Sequence, residues 1–435
     1  MTVAEVRLWG STIAAVSVER AGEAAAFEFT PEFAASGIEV SPLVMPLSRQ
    51  VYRFPALGSA FHGLPGLLAD SLPDKFGNAV LDAWLASQGR LAQDINAVER
   101  LLYTAGRGMG ALEFRPALGP RGNESAAVEV GALVELANEV LHGREALRES
   151  FGDPDKERAL REILRVGSSA GGARAKAVIA WNPETNEVRS GQVRAPSGFG
   201  YWLLKFDGVS ANRDRELADP LGYGAIEYAY SLMARAAGID MNECRLFEEH
   251  GRRHFMTRRF DRLDGGEKLH MQSLAALAHL DFNLAGAHSY EQALLVARRL
   301  ELPQESVEEL FRRMCFNVVA RNQDDHVKNV AFLMDKRGRW SLAPAFDLNY
   351  SFNPNGAWTS RHQMTLQGKR DDFTLDDFRA VARSASLQRG RERQILEQVT
   401  TAVSRWPEFA AAANVPSSQA DPIRAAHRLN LLSSD

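Results

Sequence analysis

Near the start of the chain, Val6 and Leu8 flank Arg7, and Phe27 and Phe29 flank Glu28. This period of two predicts half-buried strands. Between 64 and 85 the spacing lengthens to a helical one through Leu67, Leu68, Leu72, Val80 and Leu81, and Pro73 divides the stretch into two short helices. Leu112, Phe114 and Pro116 close the block with a strand. Gly119, Pro120, Gly122, Asn123 and Ser125 then give 117–127 the composition of a linker.

Helical periodicity resumes over 128–141 and 156–164. A strand–turn–strand region follows over 177–206, with Asn182-Pro183-Glu184-Thr185-Asn186 as its turn. Residues 227–237 read as a helix ended by Gly238. From about 270 helices dominate, at 290–300, 304–319, 376–385 and 394–404. Strand signals return only at 330–334 and 340–342, around the turn Asp335-Lys336-Arg337-Gly338. The pattern predicts an α+β N-terminal half joined to a mostly helical C-terminal half, without internal repeats.

Composition narrows this picture modestly. In 435 residues, 45% are hydrophobic and 24% charged, which excludes a largely disordered chain. No apolar run approaches the ~20 residues of a membrane span. The first thirty residues carry Glu5, Arg7, Glu19, Arg20 and Glu23, unlike a secretory leader. Two distant cysteines, Cys244 and Cys315, fit a reduced, cytoplasmic protein. A net charge of -4 argues against coating nucleic acid by bulk electrostatics.

Three segments carry candidate chemistry. The densest is Asn322-Gln323-Asp324-Asp325-His326-Val327-Lys328-Asn329, which follows an apolar helix. Asp324 and Asn329 stand five residues apart, the spacing at which protein-kinase catalytic loops place a proton-accepting Asp and a metal-holding Asn. The second is Asp347, eighteen residues after Asn329; a hairpin over 330–342 would bring its carboxylate back beside that amide. The third is the glycine-rich run Gly167-Ser168-Ser169-Ala170-Gly171-Gly172-Ala173-Arg174-Ala175-Lys176, which lets backbone N–H groups approach an anion but is also compatible with a plain loop. Downstream, Lys205 lies inside the apolar run 201–206 and needs a partner unless its ammonium snorkels, with Glu227 the candidate. Gly106-Arg107-Gly108-Met109-Gly110 reads as a tight turn, because a strand rather than a helix follows it. His279, His288 and His362 are isolated, which suits surface or satisfied core positions better than metal ligation.

In this order the glycine-rich segment, Leu203-Leu204-Lys205, Arg259-Phe260-Asp261-Arg262, 322–329 and Ala345-Phe346-Asp347-Leu348 resemble the HipA-like serine/threonine kinases, toxins of bacterial type II toxin–antitoxin systems. Leu64-Pro65-Gly66 and Asp70-Ser71-Leu72-Pro73 extend the resemblance into the N-terminal block. It implies a two-lobed protein-kinase-like fold: a strand/helix subdomain over 1–116, a nucleotide-binding N-lobe over 128–257 and a helical C-lobe over 258–435. It implies ATP and Mg²⁺ as cofactors, Asp324 as the catalytic residue, and Asn329 and Asp347 as metal ligands. Lys205, Ser169, Gly171, Gly172, Phe260, Asp261, His326 and Lys328 would line the nucleotide site. Ser169 or its neighbour Ser168 would be autophosphorylated. The implied partners are a helix-turn-helix antitoxin, DNA only through that antitoxin, and a protein substrate such as an aminoacyl-tRNA synthetase, with no membrane involved. The rival readings are a metal-dependent phosphohydrolase using Asp324, Asp325, His326 and Asp347, and a non-catalytic co-repressor scaffold.

Overall fold

A computed structural model describes residues 1–20, 22–118, 127–142, 163–164, 166, 174–209, 213–214, 217–218, 221–263 and 265–432. Ser168, Ser169, Gly171 and Gly172, and nearly all of the linker and of the predicted 156–164 helix, lie outside the described residues.

The alternating N-terminal segments form strands β1 (Thr2–Leu8), β2 (Ser11–Val18) and β3 (Ala26–Phe29), joined by β4 (Leu112–Arg115) in a sheet of order β3-β2-β1-β4. The inward residues Val6, Leu8, Phe27 and Phe114 pack against Leu67, Leu68 and Leu101 in one core. Pro73 does separate two helices, Gly66–Ala69 and Lys75–Ser87. The second starts where Asp74 caps the backbone N–H of Gly77 at 2.7 Å. Its apolar face does not join the first core. Phe76, Val80, Leu81 and Leu85 instead cover the next sheet.

That sheet holds β5 (Lys176–Trp181), β6 (Val188–Ser190), β7 (Gly200–Lys205), β10 (Cys244–Glu249) and β11 (Arg252–Arg258), in the order β10-β11-β7-β5-β6. A two-residue hairpin of β8 (Arg213–Asp214) and β9 (Leu217–Ala218) lies between β7 and β10 in sequence. The β10–β11 hairpin goes beyond the sequence reading, because Arg252, Arg253 and Arg258 blur its alternation. Register fixes which side each residue faces: Lys205 is opposite Lys176 on one neighbour and Phe255 on the other. Trp202, an odd number of residues away, faces the opposite side with its partners Ile179 and Arg258. Helix Tyr223–Ala236 ends just before Gly238, whose φ of 80° is that of a left-handed C-terminal cap.

The C-terminal half is helical, at Tyr290–Arg299, Gln304–Val319, Leu375–Ser384, Arg391–Ser404, Trp406–Ala412 and Ser417–Ala426, around one large apolar core. The predicted hairpin is present as β14 (Ala331–Met334) and β15 (Trp340–Leu342), and β12 (His270–Ser273) adds a third strand. Two short strands, β13 (His288–Ser289) and β16 (Met364–Thr365), pair in parallel. No helix among the described residues is long and apolar enough to cross a membrane.

Candidate active site

Lys205 ends β7 with its ammonium almost wholly buried, so its charge needs opposite charge nearby. Its Nζ lies 2.5 Å from Glu227 Oε1 on helix Tyr223–Ala236 and also donates to Asp347 Oδ1. Burial disfavours the ammonium, but the Asp347 and Glu227 carboxylates outweigh it and move the pKa upward, so Lys205 stays charged. Arg174 reaches the other Glu227 oxygen at 3.4 Å and stacks over the Tyr223 ring at 3.5 Å. The buried-lysine argument therefore identified a real pair.

Asp347 has a left-handed backbone, φ 53°, uncommon outside glycine. Burial would raise its pKa, but Lys205 and then Lys176 pull it down to about 2, so the carboxylate is ionised. Its carbonyl accepts from Asn322 Nδ2 at 3.4 Å, which ties this segment to the start of the 322–329 loop.

That loop leaves helix Gln304–Val319 and passes into a single 3₁₀ turn at Val327–Asn329. Asp324 Oδ1 accepts from Trp358 Nε1 at 2.7 Å, and Asp324 Oδ2 lies 4.0 Å from His326 Nε2. Ser351 Oγ accepts the backbone N–H groups of Gln323 and Asp324 at 2.7 and 2.9 Å. Asn329 Nδ2 donates to the Asp324 carbonyl at 2.9 Å, leaving the amide oxygen as its available ligand atom. Asn329, His326 and Phe346 line one small cavity beneath the loop. Trp358 and Ser351 went unremarked in the sequence; their only signal was a tryptophan and a serine in a polar stretch after Asp347.

Asp325 has a different role from Asp324. It is buried, accepts from Tyr290 OH, the Gln363 N–H at 2.7 Å and His362 Nδ1 at 2.8 Å, and fixes the loop to the C-terminal half. Burial acts to raise its pKa, but the His362 contact and the other donors bring it below the ordinary value. This removes Asp325 from any metal-ligand set. No group of three or more His, Cys, Asp or Glu side chains suited to a metal converges among the described residues. His362 is the satisfied core histidine its isolation suggested.

The remaining candidates divide. Phe260 packs against Phe346, ring centroids 5.7 Å apart, and so borders the Asp347 segment. Lys328 lies over the Phe282 ring at 4.7 Å, with Nζ 3.9 Å from Asp70 Oδ1. Asp261 is a correction. Its carboxylate has no exposure and is engaged by Arg259 Nε at 2.9 Å, Arg262 Nη1 at 2.7 Å and Gly110 N at 2.7 Å. Burial opposes ionisation, but the two guanidiniums hold its pKa far below the usual range. Asp261 is therefore an internal staple onto the Gly106–Gly110 turn rather than a residue lining the nucleotide site.

Chemically, these side chains suit Mg²⁺ beside phosphate: an ionised carboxylate and an amide oxygen for the metal, an ammonium for the phosphate, and a separate carboxylate on the neighbouring loop. The HipA N-terminal domain profile matches residues 4–115, and the HipA-like C-terminal domain profile matches residues 168–406. Across 297 residues, 61% of this chain and 66% of the relative, 26% of positions are identical to "Putative kinase Y4dM" of Sinorhizobium fredii. The chain thus spans just under two thirds of that relative's length. The HipA structure from Shewanella oneidensis MR-1, solved with HipB and operator DNA, superposes with a TM-score of 0.67 at 16% identity, covering 99% of this chain and 96% of that one. That likeness establishes the two-lobed kinase-like fold. With both profiles matched in order, the chain belongs to the HipA-like family.

Proposed function

We propose that the chain is an ATP- and Mg²⁺-dependent serine/threonine protein kinase, the toxin of a type II toxin–antitoxin pair. The observation that carries this reading is the buried Lys205, bonded at once to Glu227 on the helix and to Asp347 at the hairpin exit. Kinases use such a lysine on phosphates and such an aspartate on metal.

Mg·ATP supplies the phosphoryl group and a cation that spreads its charge. Asn329 Oδ1 and Asp347 would hold the metal, and Lys205 would meet the phosphates. Asp324 would take the proton of the substrate hydroxyl. The Trp358 N–H holds one oxygen of that carboxylate and so fixes its orientation towards the substrate hydroxyl. Ser351 grips the loop backbone and fixes where Asp324 points. His326 and Lys328 border the same site, while Gly171 and Gly172 would cover the phosphates. Ser169 or Ser168 would receive a phosphate in self-inactivation.

A helix-turn-helix antitoxin is the proposed partner, after the HipB and operator DNA seen with the Shewanella protein. DNA would be reached through that partner, and an aminoacyl-tRNA synthetase is the proposed class of substrate. Incubating a cell extract with radiolabelled ATP tests the reading. Wild-type protein should label a protein band and Asp324→Asn should not; equal labelling by both would overturn it.

A further inference from the structure

A second cavity, of about 770 Å³, opens on the other face of the β10-β11-β7-β5-β6 sheet from Lys205. The strand register makes the separation: Trp202 and Arg258 pair across β7 and β11 on the side opposite Lys205 and Phe255. The β6–β7 connection forms one wall, and the segment after β11 forms another.

Its lining has an unusual composition. Five arginines contribute, Arg194 and Arg245 among them exposed at the rim. Among the described lining residues the one carboxylate is Glu243, paired with Arg245 at 2.6 Å, and Asp261 behind the wall serves Arg259 and Arg262. With Arg258 left aside, Arg194 and Arg245 face Glu243 alone, and Arg259 and Arg262 share Asp261, so the described lining residues carry a positive excess. It is also aromatic: Trp181 and Trp202 meet edge to face at 5.7 Å, and the Arg245 guanidinium lies 5.4 Å over the Trp181 ring.

Two buried donors in these walls lack acceptors. Trp202 is 4% exposed and its Nε1 has no hydrogen-bond partner; Arg259 is 3% exposed and its Nη1 has none. Buried N–H groups are normally satisfied, since each unmade bond costs about 1–3 kcal/mol. Guanidiniums prefer phosphate and stack on planar rings, while tryptophan offers a ring face. The volume lies within the range of small-ligand sites.

We propose that this cavity is a second ligand site, which takes a nucleotide-class molecule: a phosphate held by the rim arginines and a planar base against the tryptophan wall. None of Lys205, Asp324, Asn329 and Asp347 lines it, and Trp202 and Arg258 face away from Lys205 across the sheet, so we take its occupant to be separate from the phosphoryl donor.

Calorimetric titration of the full chain with GMP, guanosine and inorganic phosphate tests this, with thermal melting as the check on folding. GMP should bind more tightly than either fragment. Its affinity should fall about tenfold or more in Arg194→Glu/Arg245→Glu, as expected when phosphate contacts are reversed in sign. It should survive in folded Lys205→Met. No GMP binding, or GMP binding that persists in the arginine variant, would overturn the site. Loss in folded Lys205→Met would place GMP in the catalytic cleft and overturn it too. Inorganic phosphate binding as tightly as GMP would overturn the nucleotide assignment.

Discussion

At the residue scale, two adjacent aspartates have different surroundings: Asp325 is buried under three donors, while Asp324 accepts from the Trp358 indole at the edge of the loop. Asp324→Asn should fold and melt as the wild type, yet lose about 10²-fold or more in turnover, because a proton acceptor is removed. Retained turnover would exclude Asp324 from that role. Trp358→Phe should lower kcat with little change in KM, since it orients the carboxylate without binding the donor. A rise in KM at unchanged kcat would contradict the positioning role. Asp347 gives a pH signature. Its folded pKa, about 2, lies below the unfolded carboxylate value of about 3.9, so its stabilisation is complete above the unfolded value and disappears as pH falls towards 2. In urea melts the stability gap between wild type and Asp347→Asn should therefore narrow from pH 4 to pH 2. A gap independent of pH would contradict the Lys205 pairing.

At the element scale, what the sequence revealed depended on whether the evidence was local. The 322–329 cluster was conspicuous because polar residues follow an apolar helix, and Lys205 was conspicuous because a charge inside an apolar strand needs a partner. Asp261 was misjudged because its partners are brought from Gly110, far away in sequence, and by two neighbouring arginines folding back. Trp358 and Ser351 were invisible for the same reason: only the packed loop brings them to Asp324. The helix Lys75–Ser87 was expected, but its attachment was not. Asp74 both caps it and lies 3.4 Å from Lys176, the register partner of Lys205, so this helix start anchors the strand that follows the glycine-rich segment. Asp74→Ala removes a cap and half of a buried ion pair, and should cost about 3 kcal/mol in denaturant melts. A cost below about 1 kcal/mol would mean that neither contact matters.

At the scale of the whole molecule, the N-terminal subdomain is seated against the kinase-like part through close backbone approach. Gly66 packs so tightly that an added Cβ would lie 2.3 Å from the Ala276 carbonyl oxygen, and its N–H donates to His279 Nε2 at 3.0 Å. Asp70 accepts the Ser273 N–H at 2.6 Å and approaches Lys328 of the 322–329 loop. Burial holds the His279 pKa down at about 4 against an ordinary 6.5, so the ring is a neutral acceptor in the folded chain. The unfolded chain protonates first as pH falls. The stability tied to this ring is thus complete above 6.5 and is lost progressively down to about 4. His279→Gln, which retains an acceptor, should show a shallower fall in Tm between those values; an identical fall would assign the acid sensitivity elsewhere. Gly66→Ala should destabilise the chain by about 2 kcal/mol through overpacking, read from the same melts.

In the proposed function, Lys205, Asp324, Asn329 and Asp347 would together transfer a phosphoryl group to protein. Intact-mass and peptide mass spectrometry of the purified chain, after incubation with ATP and Mg²⁺, tests it most directly beside an Asp324→Asn control. Phosphate should appear on Ser169 or Ser168 in the wild type and on neither in the variant. An unmodified wild type, or equal modification of both proteins, would contradict it.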